Sequence, residues 1–415
     1  MLLALEPFGY CGPMLETNEQ RPPPERSASV LETFFAWPLA AAAQIAEANI
    51  RLFEGLLPPA KQVAHRESTF PWSSPNTIAL ELGSMRLRDF SNGAGSPATL
   101  ICAPYALHGA TVADFAPGHS VVERLWQNGV SRVFVTDWRS ATPETRYFTI
   151  DNYLADLNVA VDELGPPVDL IGLCQGGWLA LVYAARFPKK VRRLVLVGAP
   201  IDIAAARSSL SHFAADVPLK MFDELVRLGE GIVHGQQMLG LWGISHGPNE
   251  ADATLQTSRN IDPTQREALN ERFRQWHAET VDLPGSFFLQ VVNWLFKQNQ
   301  IAEGRFVALG QSIDLSKLTT PICLLAGTDD EVVCVDQLFA VARLVGTRDE
   351  YLLKMTQPCG HLSLYLGADV LGHAWPNIAR WLTRDLNEPL VGPGRIDTRM
   401  DAPEVGVRNI QKSVG

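Results

Sequence analysis

Between Val168 and Trp178 the chain reads Val-Asp-Leu-Ile-Gly-Leu-Cys-Gln-Gly-Gly-Trp, and few folds accommodate such a run. Val168 to Leu173 has the apolar continuity of a strand buried on both faces, whereas Trp178 to Phe187 favours a helix. Cys174 sits at the junction, flanked by Gly172 and Gly176. A side chain at either glycine would crowd a sharp strand-to-helix turn. Such a turn lifts Cys174 clear of the sheet in a strained backbone conformation. It also leaves the N–H of Gln175, at the helix start, free to bind a developing oxyanion. The competing reading is a buried structural thiol, since free cysteine is among the most buried residue types. Two spaced glycines at a strand-to-helix junction favour a nucleophile.

This context matches the nucleophile elbow of α/β-hydrolases, with cysteine where serine is usual. The surrounding pattern agrees. Thr77 to Phe90 alternates in hydrophobicity about Gly83-Ser84, as a short antiparallel pair does. Apolar runs at Thr99–Ala103, Arg132–Thr136, Val168–Leu173, Arg193–Val197, Pro321–Ala326 and Glu350–Met355 alternate with helical segments. Continuous apolar strands between helices imply a mostly parallel, doubly wound sheet covered on both faces. The alternation stops between Asp202 and about Glu303, where helical patches and aromatics predict a helical cap insertion. The expected organisation is an irregular and helical region with a hairpin over 1–95, an α/β-hydrolase core over 96–203 and 304–385, a cap over 204–303, and a tail over 386–415. Within the first region, Val30 to Phe53 is strongly apolar and reads either as a packed helix or as an interaction surface.

A thiol nucleophile needs a base and a carboxylate to orient it, in the chain order nucleophile, acid, histidine. His361 lies in a Gly-His loop directly after the Glu350–Met355 run, while His373 falls in the helix leading to Trp381. The base is therefore His361. The acid belongs in Gly327-Thr-Asp-Asp-Glu-Val-Val, where Asp330 is preferred to Asp329 and Glu331 on its spacing to Val332-Val333. A second oxyanion N–H is expected from Tyr105 or Ala106, in the loop after Thr99–Ala103. His108 in that loop contacts substrate or packs the loop. Trp276, Phe287, Phe288, Trp294 and Phe296 are candidate linings of an apolar cavity above Cys174.

The formal charge of −10 over 415 residues argues against nucleic acid as a partner. The six cysteines form no CxxC pair or zinc spacing and read as reduced thiols. The N-terminus lacks a basic region before its apolar run, and no apolar stretch is long enough to span a bilayer. A cytosolic enzyme is the expectation, and no metal or redox cofactor is implied.

From about Ala98 to Leu382 the chain resembles the polyester-handling branch of the α/β-hydrolases, the polyhydroxyalkanoate synthases and intracellular polyhydroxyalkanoate depolymerases. Gly-Leu-Cys-Gln-Gly-Gly resembles the synthases' lipase-like box. Asp137-Trp138-Arg139 and Asp151-Asn-Tyr-Leu resemble stretches of both groups, as do Gln298-Asn-Gln-Ile-Ala-Glu-Gly and Ile313-Asp314-Leu. Ala103-Pro-Tyr-Ala-Leu-His-Gly-Ala-Thr, Gly198-Ala-Pro-Ile-Asp202, Phe287-Phe-Leu-Gln290 and Gly360-His361 through Gly367 resemble the depolymerases more. The chain lacks the synthases' Trp after the acid, having Cys334, and their Asn-Pro-Pro after the histidine. It departs from depolymerases in Gly176-Gly177. The resemblance implies a Cys174–Asp330–His361 thiol esterase acting on a polyhydroxyalkanoate or its oligomers, with depolymerase as the first reading. The alternative is a synthase drawing hydroxyacyl-CoA, and a non-catalytic granule protein comes third. A polymer granule surface and a homo-oligomer are left open as partners.

Overall fold

The apolar runs assemble into one eight-stranded sheet in a computed structural model that describes residues 70–95, 97–241, 250–257 and 261–385. The apolar segment Val30–Phe53 and the tail over 386–415 lie outside the described residues. In chain order the strands are β1 (Thr77–Glu81), β2 (Met85–Asp89), β3 (Thr99–Cys102), β4 (Val133–Trp138), β5 (Val168–Leu173), β6 (Val191–Val197), β7 (Ile322–Gly327) and β8 (Leu352–Gln357). Their spatial order is β1-β2-β4-β3-β5-β6-β7-β8. The β1–β2 and β2–β4 pairings are antiparallel and the remaining ones parallel. Every residue of β3, β5 and β7 is buried, as expected for strands covered on both faces. The hairpin forms where the alternation put it, with the Leu82 N–H donating to the Met85 carbonyl at 2.8 Å.

Helices α1 (Ile150–Leu164) and α2 (Gln175–Arg186) flank β5 in sequence. The first turn of α1 is closed by Asn152 Oδ1, which accepts the Thr149 N–H at 2.8 Å, and the helix stops at Gly165 with φ of 77°. Between β6 and β7 the chain leaves the sheet and builds helices including α3 (Ser209–Asp216), α4 (Leu219–Leu228), α5 (Pro263–Ala278) and α6 (Gly285–Gln290). A π-helix, Val291–Lys297, continues α6. This insertion was expected to hold no strand. It contains a two-residue pair, Ile232–Val233 against Leu283–Pro284, too short to leave a period in the sequence. The closing helix α7 (Ala368–Thr383) buries Trp375 and Trp381, and the largely buried Arg193 of β6 donates to the carbonyls of Trp381, Leu382 and Arg384 at its end. Among the described residues no helix is long and apolar enough to cross a membrane.

The insertion is pinned to the sheet at one corner. The Val281 N–H donates to the Leu107 carbonyl at 3.0 Å, the Asp282 N–H to Ser140 Oγ at 2.8 Å, and the Ala141 N–H to the Asp282 carbonyl at 2.9 Å. Asp282 is itself buried, and its carboxylate accepts the Gly235 N–H at 3.0 Å and faces His234 Nδ1 at 3.2 Å.

At the β5–α2 junction the packing leaves no room for side chains. A Cβ on Gly172 would stand 2.5 Å from the Gly177 Cα, and one on Gly176 would stand 2.1 Å from the Cys102 carbonyl oxygen. Neither obstacle is a flexible side chain that could swing away. Gly176→Ala is therefore expected to destabilise the protein by about 3 kcal/mol or more, at the upper end of overpacking costs, and to lower its thermal midpoint by several degrees. Gly83→Ala, in open space at the hairpin turn, is the matched control and should leave the midpoint almost unchanged. Equal midpoints for the two variants in a thermal melt would refute this account of the junction.

Candidate active site

Cys174 stands at the end of β5 with φ of 48° and ψ of −118°, a conformation that side-chain-bearing residues seldom adopt. Two backbone hydrogen bonds hold it there. Its N–H donates to the Val197 carbonyl at 2.9 Å, and its own carbonyl accepts the Gly177 N–H at 2.8 Å. Gln175 is the first residue of α2, so its N–H has no carbonyl a turn earlier in the helix to bind. The Gln175 side chain is held back against the helix by the Trp178 indole, which donates to its Oε1 at 2.5 Å.

His361 approaches from the loop after β8. Its Nδ1 lies 2.7 Å from Asp330 Oδ2, and the ring is near enough to Cys174 for the two to interact electrostatically. The Asp330 carboxylate is fully buried, and its other oxygen accepts the N–H groups of Val332 and Val333, each at 2.8 Å. Those two bonds give a physical reason for the Val332-Val333 spacing. Asp329 and Glu331 are exposed, so of the three adjacent carboxylates the structure brings Asp330 to the histidine. Burial alone would push the His361 pKa down. The Asp330 carboxylate with its hydrogen bond, and the Cys174 thiolate, outweigh it and hold the imidazolium well above its ordinary range. His373, by contrast, is exposed on α7 with Nδ1 2.7 Å from the Asp369 carbonyl.

Tyr365 is a neighbour that reasoning from the sequence did not single out as a site residue. Its buried hydroxyl donates to the Val197 carbonyl at 3.0 Å, the same oxygen that accepts the Cys174 N–H, and its ring meets His361 edge-on at 5.6 Å. Gly198, with φ of 52°, makes room for both groups. A Cβ there would lie 2.6 Å from the Tyr365 hydroxyl and 3.2 Å from the His361 ring. The signal was the four-residue spacing from His361 to Tyr365, which is easily missed in so apolar a segment.

A small, apolar-lined cleft opens beside Gln175, between the sheet and the insertion. Tyr105, Ala106 and Gln175 form its wall on the sheet side. Phe287, Phe288 and Phe296 line it from the insertion, as the aromatic pattern suggested. Three of the expected substrate contacts fall elsewhere. Trp276 is buried against Phe115 and Phe273, with His108 tilted over it at 4.4 Å, and His108 Nδ1 lies 3.1 Å from the Glu279 carbonyl. His108 thus packs its loop. Trp294 meets Phe306 edge-on at 5.9 Å, two residues before Phe296 and so on the opposite side of the helix. The Tyr105 hydroxyl donates to the Arg139 carbonyl at 2.9 Å and lies 3.1 Å from that of Asp282, so the backbone N–H remains the oxyanion donor expected of this residue.

The other described cysteines are poor nucleophiles. Burial pushes the thiols of Cys102, Cys323 and Cys359 up to about 12 and raises that of Cys334. Alkylation by iodoacetamide, read by mass on the Cys174 peptide, therefore reports on the thiolate paired with His361. Asp330→Asn removes the charge that holds the imidazolium. Alkylation of Cys174 near neutral pH is expected to slow by on the order of tenfold, because the histidine beside it loses its orienting carboxylate. Asp329→Asn should leave the rate near that of the parent protein, and equal slowing in both variants would overturn the pairing.

A family model for the alpha/beta hydrolase fold matches residues 119–368. The poly(3-hydroxyalkanoate) polymerase subunit PhaC of Synechocystis is 27% identical over 285 residues, which cover 65% of this chain and 73% of that protein. The protein of the same name from Haloferax mediterranei is 23% identical over 319 residues, 74% of this chain and 63% of its own length. Among solved structures, a monoacylglycerol lipase from Paleococcus ferrophilus is 17% identical with a TM-score of 0.46, over 72% of this chain and 98% of that one. With the family model spanning more than half of its residues, and the sheet order, elbow and insertion described above, this chain belongs to the α/β-hydrolase fold family.

Proposed function

We propose that the protein is a polyhydroxyalkanoate polymerase, which carries a 3-hydroxyacyl group on Cys174 from a coenzyme A thioester to the hydroxyl end of a growing polyester. The observation that carries this reading is a cysteine, paired with His361 and Asp330, beside a cleft that no charged side chain lines. The curated relatives that match over 60% or more of this chain are named as polymerases, which favours this direction over the depolymerase that loop resemblances put first.

In the first half-reaction the Cys174 thiolate attacks the thioester carbonyl, and the oxyanion is held by the N–H of Gln175 and one from the Tyr105–Ala106 loop. The tetrahedral intermediate collapses with loss of the coenzyme A thiolate, which takes the proton from His361. In the second, His361 removes the proton of the polymer's terminal hydroxyl, and that oxygen attacks the acyl-cysteine. The ester forms, the Cys174 thiolate leaves, and the proton stays on His361 to restore the starting pair. Asp330 keeps the imidazole in the tautomer both steps require. Exchange of one thioester for another retains the acyl group's activation, which is the chemical use of a thiol here. Hydrolysis is the same second step with water in place of the hydroxyl, and an apolar cleft disfavours it by excluding water. The enzyme's partners on this reading are hydroxyacyl-CoA and the nascent polyester, and its place of work is the polymer surface.

Purified protein given 3-hydroxyacyl-CoA substrates of four and eight carbons is expected to release free coenzyme A and accumulate insoluble polyester. Given amorphous polymer alone, it should release little soluble hydroxy acid. The reverse pattern would make it a depolymerase. Cys174→Ala should abolish coenzyme A release while its thermal midpoint stays close to that of the parent, because a methyl group fits the turn. Full activity in that variant would sink the mechanism.

A further inference from the structure

We infer that Trp138 is a positioning residue for acylation of Cys174: its indole N–H fixes the Ala103 carbonyl, and the loop that follows thereby aims its backbone N–H at the developing oxyanion. This role rests on the acyl-transfer reading above and names what holds the oxyanion side of the site.

The β3–β4 ladder ends at Ile101 and Val135, and beyond it side chains of β4 take hold of the departing chain. The Ala103 N–H donates to Thr136 Oγ1 at 3.0 Å, and the Ala103 carbonyl accepts the Trp138 indole N–H at 2.9 Å. Thr136 and Trp138 stand two apart in a strand and so share a face, which lets them grip both ends of one residue. The same carbonyl looks toward α2, since a Cβ on Gly176 would stand 2.7 Å from its oxygen. Pro104 comes next, with no N–H and a φ locked by its ring. The following N–H is that of Tyr105. Peptide planarity leaves one soft torsion, the ψ of Pro104, between the fixed carbonyl and that donor.

The side chain of Tyr105 restrains that torsion from the other end. Its hydroxyl accepts from Tyr153 at 3.2 Å and donates to the Arg139 carbonyl at 2.9 Å. Its ring lies 6.1 Å from Trp138, 4.9 Å from Tyr153 and 5.3 Å from Phe287, and all four rings are buried. Trp138, Tyr153 and Phe287 come from three stretches conspicuous in the sequence, Asp137-Trp138-Arg139, Asp151-Asn-Tyr-Leu and Phe287-Phe-Leu-Gln290, none of which supplies a triad residue. One aromatic box around the oxyanion loop gives all three a use. Because Ala103 is itself fully buried, its carbonyl would lose a donor that water cannot readily replace if the indole N–H were removed. The peptide plane would then turn, and the Tyr105 N–H with it.

Two reactions of the same sulfur separate this role from a merely structural one. Acylation by p-nitrophenyl butyrate joins sulfur to a carbonyl carbon, passes through an oxyanion and expels p-nitrophenolate. Alkylation by iodoacetamide joins sulfur to a saturated carbon, expels iodide and forms no oxyanion. Trp138→Phe keeps a ring and removes the N–H. It is expected to slow the single-turnover burst of p-nitrophenol by on the order of tenfold, less than misplacing a catalytic group by an ångström costs. Its rate of Cys174 alkylation should equal that of the parent protein. Tyr105→Phe, which releases the loop from the Arg139 carbonyl, should shift the ratio of the two rates in the same direction. Both rates are measured well below each variant's thermal midpoint. An unchanged burst in Trp138→Phe overturns the inference. So does a burst that falls together with alkylation, the mark of a disturbed Cys174–His361 pair or a loosened fold. If Trp138→Phe does not fold, Tyr105→Phe decides by the same ratio. A selective loss of the burst in a protein that releases no coenzyme A from hydroxyacyl-CoA overturns the polymerase reading and keeps the role of Trp138. Coenzyme A release by the parent with an unaltered ratio in the variants does the reverse.

Discussion

The contact on which the site depends is between two stretches of backbone. The carbonyl oxygens of Cys102 and Ala103 lie 2.1 and 2.7 Å from where a Cβ on Gly176 would sit. That approach brings the end of β3 against the start of α2, and with it the Tyr105–Ala106 loop beside Gln175. Gly172 and Gly177 do the same between β5 and its helix, and Gly177 would otherwise meet Ala199 at 2.3 Å. Once these backbones touch, Cys174 has no relaxed conformation left to it, and its positive φ follows from its neighbours. The strain is held by the many apolar contacts of β5, whose six residues are all buried.

Electrostatics at the site are arranged in series from the inside outward. Val332 and Val333 satisfy one oxygen of a fully buried carboxylate, and the imidazole satisfies the other. Buried in this way, Asp330 acts on His361 through a medium that screens little, which is why the imidazolium survives its own burial. Tyr365 and Gly198 then set the distance of the ring from the elbow. The insertion is tied to the loop after β3 by the Tyr105 hydroxyl, which reaches the Asp282 carbonyl.

Much of this was legible beforehand because it is carried by local patterns. The six apolar runs between helices became six of the eight strands, shifted by a residue or two, and the hairpin supplied the other two. Chain order alone separated His361 from His373. The choice of Asp330 over Asp329 came from spacing, and its physical basis is the pair of N–H groups two and three residues on. The aromatics were read less well. Phe287, Phe288 and Phe296 reach the cleft, but Trp276 and Trp294 do not, since hydrophobicity says that a ring is buried and not against what. His108 likewise serves the loop's own packing.

What the sequence determined by itself is therefore the topology and the identities at the elbow. Glycine spacing, apolar continuity and chain order are local properties, and each has few structural solutions. Tertiary structure alone decided which faces of the insertion helices look into the cleft, so that Phe296 lines it while Trp294 packs on Phe306. It also decided that Val197 would offer one carbonyl to both Cys174 and Tyr365, groups far apart in the chain. Contacts of that kind depend on how separate elements dock, and docking is set by the sum of many weak apolar contacts that no short stretch of sequence contains.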